Sequence, residues 1–291
     1  MSVFEGVVPA VPTPMDKAGA FDEAAFRKVL EFNIESGVHG FWVAGGTGES
    51  VLLEDDENKA VAKAAADQAK GRAKIIMHVG APTTARAARL AEHAATVGAD
   101  ALCCVPPFFY RRSDEEIAEH YRIVAEAANL PLFVYNLPSA TGVEITPGMM
   151  KTIQDRVPQL KGLKHSAMTF ANIRTFANMG LSCFVGSHRL MLPAMTLGAC
   201  GCVDGPLSVW PEVWVGIWNA YKSGDWKQAM DLQERGSVLY ENLSAKGGAF
   251  QALIKAALSE RLGVECGHMR PPGLPLNPEQ RSYIRGVMAA V

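Results

Sequence analysis

Lys164 stands near the end of the run Leu160-Lys161-Gly162-Leu163-Lys164-His165-Ser166, and Tyr135 stands near the end of Leu130-Pro131-Leu132-Phe133-Val134-Tyr135-Asn136. A lysine and a tyrosine closing two successive candidate strands carry chemical content. An ammonium among apolar side chains is disfavoured, because burial favours the neutral amine. A neutral amine is a nucleophile toward carbonyl carbon and forms a Schiff base. A phenol beside it can carry the protons that carbinolamine formation and C–C bond chemistry require. Taken alone, the pair also fits a snorkelling lysine and a core tyrosine. The elements that position the two residues decide between these alternatives.

Short apolar runs alternate with longer amphipathic ones through the first two thirds of the chain. Eight candidate strands cover 7–12, 40–44, 74–79, 101–105, 131–136, 162–165, 182–185 and 201–203. A helical pattern occupies each gap. In the first, Asp22 is placed to cap a helix, Phe26, Val29, Leu30 and Ile34 recur at helical spacing, and Gly37 closes it. Others are expected at 54–70, 85–97, 113–128, 147–153, 170–179 and 189–197. Eight βα units of this length predict an α/β fold, a closed (β/α)8 TIM barrel over residues 1–210. No GxGxxG follows the first strand, which weighs against a dinucleotide-binding sheet. From Pro211 the strand signals stop. Helices are expected at 212–223, 226–243 and 248–262, with a last one capped by Asn277 and begun by Pro278. Residues 211–291 therefore read as a C-terminal helical extension packed on the barrel or on a neighbouring subunit.

Composition narrows the function classes. The 291 residues include 48% hydrophobic ones, enough for a substantial core, and the net charge is -2 from 28 basic and 30 acidic residues without a long run of either sign. Neither a nucleic-acid footprint nor a polybasic membrane patch is present, and no uncharged apolar stretch reaches transmembrane length. Small-molecule chemistry is the expectation. The six cysteines sit mostly in strand-like segments and lack metal-ligand spacing, so they read as small buried hydrophobes in a reducing compartment. Met1-Ser2-Val3-Phe4-Glu5-Gly6 has no basic region leading into an apolar stretch, and a cytoplasmic protein is expected.

In such a barrel the strand C-termini and the loops after them line the active-site face. Gly45-Gly46-Thr47-Gly48-Glu49-Ser50, Phe108-Phe109-Tyr110, Tyr135, Lys164, Ser187-His188-Arg189 and Asp204-Gly205 all fall there. The glycines of the first loop let backbone amides approach a ligand. A small carboxylate fits the amides of Gly46 and Thr47 and the Thr47 hydroxyl; a tight βα turn with Glu49 opening the next helix is the alternative.

Four segments together carry a resemblance: Val11-Pro12-Thr13-Pro14-Met15, Gly45-Gly46-Thr47-Gly48-Glu49-Ser50, Tyr135-Asn136-Leu137-Pro138 and Gly162-Leu163-Lys164. In order and spacing the chain resembles the pyruvate-dependent class I lyases, the family that contains dihydrodipicolinate synthase and N-acetylneuraminate lyase. The resemblance spans essentially the whole chain, including Arg270-Pro271-Pro272. It implies a barrel assembled as a homotetramer or dimer. It also implies a Schiff base between Lys164 and pyruvate or another 2-oxo acid, proton relay by Tyr135, and a carboxylate held at Gly46 and Thr47. The iminium would serve as the electron sink, with no metal or organic cofactor.

Departures from the family pattern bear on the second substrate. Gly46 replaces a second hydroxyl of the synthases, Phe109 replaces their second active-site tyrosine with Tyr110 beside it, and Ala140 replaces a carboxylate-gripping arginine. These changes argue against aspartate semialdehyde. Leu137-Pro138-Ser139-Ala140-Thr141-Gly142-Val143 is closer to the sialic-acid-lyase style, and the Gly45–Glu49 loop also resembles deoxy-oxo-glucarate dehydratases. Ser166, His188, Arg189, Val203 and Asp204 are the candidate acceptor-binding residues, with Phe108, Phe109 and Tyr110 walling the mouth. For His188 and Arg189 a solvated helix start is the alternative, and for Asp204 a structural hydrogen bond. The other histidines, His78 included, read as core or surface residues. The expected reaction is reversible aldol cleavage of a 2-keto-3-deoxy sugar acid to pyruvate and an aldehyde. A 4-hydroxy-tetrahydrodipicolinate synthase-like condensation, a dehydratase and a non-catalytic oxo-acid binder are the alternatives.

Overall fold

The computed structural model describes residues 4–290. Residues 1–3 and 291 lie outside it; they are the outer ends of the two expected segments and part of the stretch weighed for a signal peptide. The strands are β1 (Gly6–Val7), β2 (Gly40–Val43), β3 (Lys74–His78), β4 (Ala101–Cys104), β5 (Leu132–Asn136), β6 (Leu160–His165), β7 (Ser182–Val185) and β8 (Gly201–Cys202). All pair in parallel in the order β1-β8-β7-β6-β5-β4-β3-β2. A bridge between Ala10 and Trp42, with the Trp42 amide donating to the Pro9 carbonyl at 2.9 Å, joins the first strand to the second and closes the barrel. Regular β1 is shorter than the expected 7–12 because Pro9 and Pro12 have no N–H to give a ladder. Val8 and Ala10 still donate to the carbonyls of Cys202 in β8 and of Asp204 just beyond it.

The helices are α1 (Glu23–Glu35), α2 (Asp55–Ala69), α3 (Thr84–Thr96), α4 (Asp114–Ala128), α5 (Pro138–Thr141), α6 (Pro147–Arg156), α7 (Asn172–Asn178), α8 (Met191–Thr196), α9 (Pro211–Ser223), α10 (Trp226–Ser244), α11 (Phe250–Leu262) and α12 (Pro278–Ala289). Local chemistry accounts for their ends. Asp22 accepts from the Ala25 amide at 2.9 Å, and Ser113 with Glu116 and Asn277 with Gln280 form capping boxes. The one-turn α5 has too few residues for an amphipathic pattern, so periodicity does not reveal it. After β7 a 3₁₀ turn, His188–Leu190, precedes α8, and the helix expected from residue 189 starts two residues later. Helix α9 lies against β1 and takes the eighth helical position of the barrel, while α10, α11 and α12 follow it.

Two apolar clusters result from the alternation of side chains along each strand. Ile75, Met77, Leu102, Cys104, Leu132, Val134 and Leu163 point outward to the helices. Ile76, Ala101, Cys103, Phe133, Tyr135 and Phe184 fill the lumen with Trp42 and Val203. The neighbours Cys103 and Cys104 thus face opposite ways, and all six cysteines are unbridged. Among the described residues no helix is long and apolar enough to cross a membrane.

Candidate active site

Strand parity and register bring Tyr135 and Lys164 together. Tyr135 on β5 pairs directly with Lys164 on β6, and both point into the lumen, 5% and 4% exposed. Lys164 Nζ lies 4.4 Å from the Tyr135 ring centroid and 5.7 Å from that of Trp42. Gly186 on the neighbouring chain segment makes room for them. A Cβ there would sit 1.8 Å from Ser166 Oγ and 3.1 Å from Lys164 Cε, so only glycine fits.

The electrostatics differ from the expected neutral amine. Burial does disfavour the Lys164 ammonium, but the Tyr135 phenol and the Asp204 carboxylate outweigh it and hold the pKa above the ordinary lysine value. Asp204 is itself held below the usual aspartate range: burial opposes its ionisation, and hydrogen bonds from His188 with the Lys164 charge overcome that. Its Oδ2 accepts from the His188 amide at 2.9 Å and from His188 Nδ1 at 2.8 Å, while Oδ1 accepts from the Gly205 amide at 2.8 Å. The resting lysine is therefore an ammonium that must lose a proton before it attacks a carbonyl. Asp204→Asn removes an anion that stabilises the charged form and so lowers the Lys164 pKa. The alkaline rise in the rate of borohydride-trapped imine is expected to move to lower pH; an unshifted profile would remove Asp204 from this role.

The Gly45–Ser50 loop lies beside the phenol. A Cβ at Gly46 would be 3.7 Å from the Tyr135 hydroxyl. Three groups remote in sequence hold the loop: Thr13 Oγ1 donates to the Gly48 carbonyl at 2.8 Å, Gln251 Nε2 of α11 donates to the Gly46 carbonyl at 3.1 Å, and Lys255 of α11 pairs with Glu49 at 2.6 Å. Glu49 does not open a helix. It takes the left-handed conformation at φ 61° and turns its side chain into the protein, where Oε2 also accepts from the Arg270 amide at 2.7 Å. Both side chains of the ion pair are 0–1% exposed. Removing one partner leaves a buried charge unmatched, which costs about 3–5 kcal/mol. Lys255→Met is thus expected to lower the melting temperature by roughly 6–20 °C, with Glu49→Gln added to it restoring part of the loss. An unchanged melting curve would mean that Glu49 reaches water.

A cavity of about 140 Å³ opens beside Tyr135, bordered by Gly46, Val51, His78, Phe108, Leu137 and Ala140 among others. Tyr135 rather than Lys164 forms its wall. A larger cleft of about 410 Å³, with Glu5, His39 and Lys74 on its walls, lies at the opposite end of the barrel, away from the lysine.

The candidate residues are not all brought together. Lys164, Tyr135, Ser166, Gly46 and Asp204 converge, with Val203 buried in the lumen. Ser166 Oγ is buried without a hydrogen-bond partner. Thr47 is buried, and its methyl would meet a Cβ at Gly205 at 3.2 Å. His188 is packed between the rings of Tyr240 and Trp214, with centroids 4.6 and 5.7 Å away. Arg189 is exposed and faces Glu241 at 3.5 Å. Phe109 and Tyr110 stand in solvent, 88% and 66% exposed, and contact each other rather than the cavity. The residue that sequence reasoning passed over is His78, which is buried and borders the cavity. The signal was available, since His78 shares the inward parity of Ile76 on the same strand. Among the described residues no cluster of three or more His, Cys, Asp or Glu side chains is arranged to hold a metal ion.

Similarity to known proteins agrees with this geometry. The chain is 34% identical over 292 residues to a 4-hydroxy-tetrahydrodipicolinate synthase of Phenylobacterium zucineum, covering 99% of this chain and 97% of that one. It is 33% identical over 251 residues to an N-acetylneuraminate lyase of Escherichia fergusonii, covering 85% and 84%. Among solved structures, a sialic acid aldolase of Ruminococcus gnavus superimposes with a TM-score of 0.94 at 25% identity, covering 99% and 96%. The Dihydrodipicolinate synthetase family model matches residues 3–290, and the chain, with its barrel and its paired lysine and tyrosine, belongs to that family of lyases.

Proposed function

We propose that the chain is a Schiff-base aldolase that cleaves a 2-keto-3-deoxy acid reversibly to pyruvate and an aldehyde, through Lys164. The observation that carries this is the register pairing of Lys164 with Tyr135 beside the Gly46 loop. After losing a proton, Lys164 Nζ attacks C2 of the oxo acid, and the carbonyl oxygen leaves as water to give the iminium. Tyr135 gives its proton to that departing oxygen and, as the phenolate so formed, takes the proton of the 4-hydroxyl. The C3–C4 electron pair then passes into the iminium, the aldehyde departs and an enamine remains. Protonation at C3 and hydrolysis return pyruvate and the free amine. The amides of Gly46 and Thr47 hold the carboxylate.

Ala140 on the cavity wall supports a second substrate without a second carboxylate at that position, which sets aspartate semialdehyde behind other aldehydes. A sugar aldehyde has less support there, because His188 and Arg189 are committed elsewhere. Apolar side chains exposed around Val51, Leu52, Phe109 and Tyr110 support a homotetramer or dimer, which a sedimentation run finding only monomer would remove. Five buried, unbridged cysteines suit the reducing cytoplasmic setting expected with it. The test is intact-mass spectrometry after borohydride reduction with pyruvate. A pyruvyl adduct on the native chain is expected, and its absence would sink the Schiff-base mechanism.

A further inference from the structure

We propose that the cavity beside Tyr135 is an acceptor subsite for an uncharged apolar aldehyde, aryl or branched alkyl, whose carbonyl oxygen is hydrogen-bonded by His78. The proposal rests on the Schiff-base chemistry above and names the class of its second substrate. Val51, Val105, Phe108, Leu137 and Ala140 present hydrocarbon to the cavity. The Thr141 hydroxyl is already committed, donating to the Leu137 carbonyl at 3.0 Å and accepting from the Val143 amide at 3.2 Å. Besides the Tyr135 phenol, Ser50 is the other hydroxyl on the wall and sits partly exposed. A polyhydroxylated aldehyde held here would leave several hydroxyls without partners, and unmet buried hydrogen bonds strongly disfavour binding. Among the described residues no Lys or Arg borders the cavity to hold a distal carboxylate.

His78 is the exception in this wall. It is 2% exposed and makes no well-formed hydrogen bond through either ring nitrogen, although the Ala44 backbone lies close enough to favour the protonated ring slightly. Buried polar groups are almost always paired, so an orphaned imidazole at a cavity points to a partner that arrives with the ligand. Its ring stands edge-on to that of Tyr135, with centroids 6.2 Å apart, which sets it next to the proton-carrying phenol. Glycine at 80 accommodates it, since a Cβ there would lie 2.7 Å from Nε2. Burial, and then the Lys164 ammonium, depress its pKa to about 4, so the ring is neutral at working pH and offers one donor and one acceptor. In the condensation direction, C3 of the enamine bonds to the aldehyde carbon. The aldehyde oxygen takes a proton from Tyr135 while His78 donates a hydrogen bond to it.

The test is steady-state kinetics of condensation with pyruvate for benzaldehyde, 3-methylbutanal, glyceraldehyde and N-acetylmannosamine. It is run on the native chain, His78→Phe and His78→Gln, with borohydride trapping of pyruvate on each. On the native chain, kcat/KM for the two apolar aldehydes is expected to exceed that for the polyhydroxylated ones by about tenfold or more. His78→Phe should lower kcat/KM for benzaldehyde by about tenfold, and His78→Gln should recover part of it, with pyruvate trapping unchanged in both. A preference for the polyhydroxylated aldehydes overturns the subsite, as does unchanged acceptor kinetics in His78→Phe. Loss of pyruvate trapping in both variants would make His78 structural and overturn its role. Absence of trapping on the native chain would instead overturn the Schiff-base mechanism, and the subsite with it.

Discussion

Lys164→Ala is expected to abolish the borohydride-trapped adduct and to lower turnover by about 10⁴-fold or more, because no other group supplies the covalent electron sink. The buried lysines of the described chain are Lys164 and Lys255, and burial lowers the pKa of Lys255 despite its partner. By nucleophilicity alone Lys255 looks the better amine. Its position excludes it: Nζ is held 2.6 Å from Glu49 and donates to the His268 carbonyl at 2.8 Å, on α11 outside the lumen. Lys164→Met, which keeps more of the volume packed against Trp42, should lose the adduct equally, with a melting curve near that of the native chain. An adduct retained in either variant, mapped to another lysine, would end the assignment.

Tyr135→Phe is expected to lower kcat by about 10²–10⁴-fold while leaving the 2-oxo acid KM within about threefold. The ring remains, so the cation–π contact with Lys164 and the edge contacts with Trp42 and His78 persist. The phenol oxygen is lost, and with it the relay for the 4-hydroxyl proton. Its loss also withdraws a group that holds the Lys164 pKa up, so more of the amine is neutral at a given pH. Imine trapping at neutral pH should therefore fall much less than turnover, since water can protonate the departing oxygen but no group replaces the phenolate at the 4-hydroxyl. Parallel loss of both would show that Tyr135 positions the lysine rather than carrying protons.

The barrel was legible because each strand keeps a strict inward–outward alternation and each helix brings its own cap, as at Asp22, Ser113 and Asn277. These signals are local, and local backbone chemistry acts on them directly. Lys164 and Tyr135 were legible for the same reason, since each ends a strand and alternation directs both inward. His78 obeyed the same rule, but a histidine in a strand carries no chemical mark until its neighbours show that both nitrogens are orphaned.

The sequence by itself determined the fold, the family and the lysine–tyrosine pair, because strand period, caps and motif spacing are properties of neighbours along the chain. The tertiary structure alone decided the charge state of Lys164, which depends on Tyr135 from the neighbouring strand and Asp204 from beyond β8 outweighing burial. It also decided that Glu49 anchors the loop through Lys255, and that Phe109, Tyr110 and Arg189 leave the cavity while His78 enters it. Burial and Coulomb energy depend on distances in space, and residues far apart in the chain meet only once the barrel has closed.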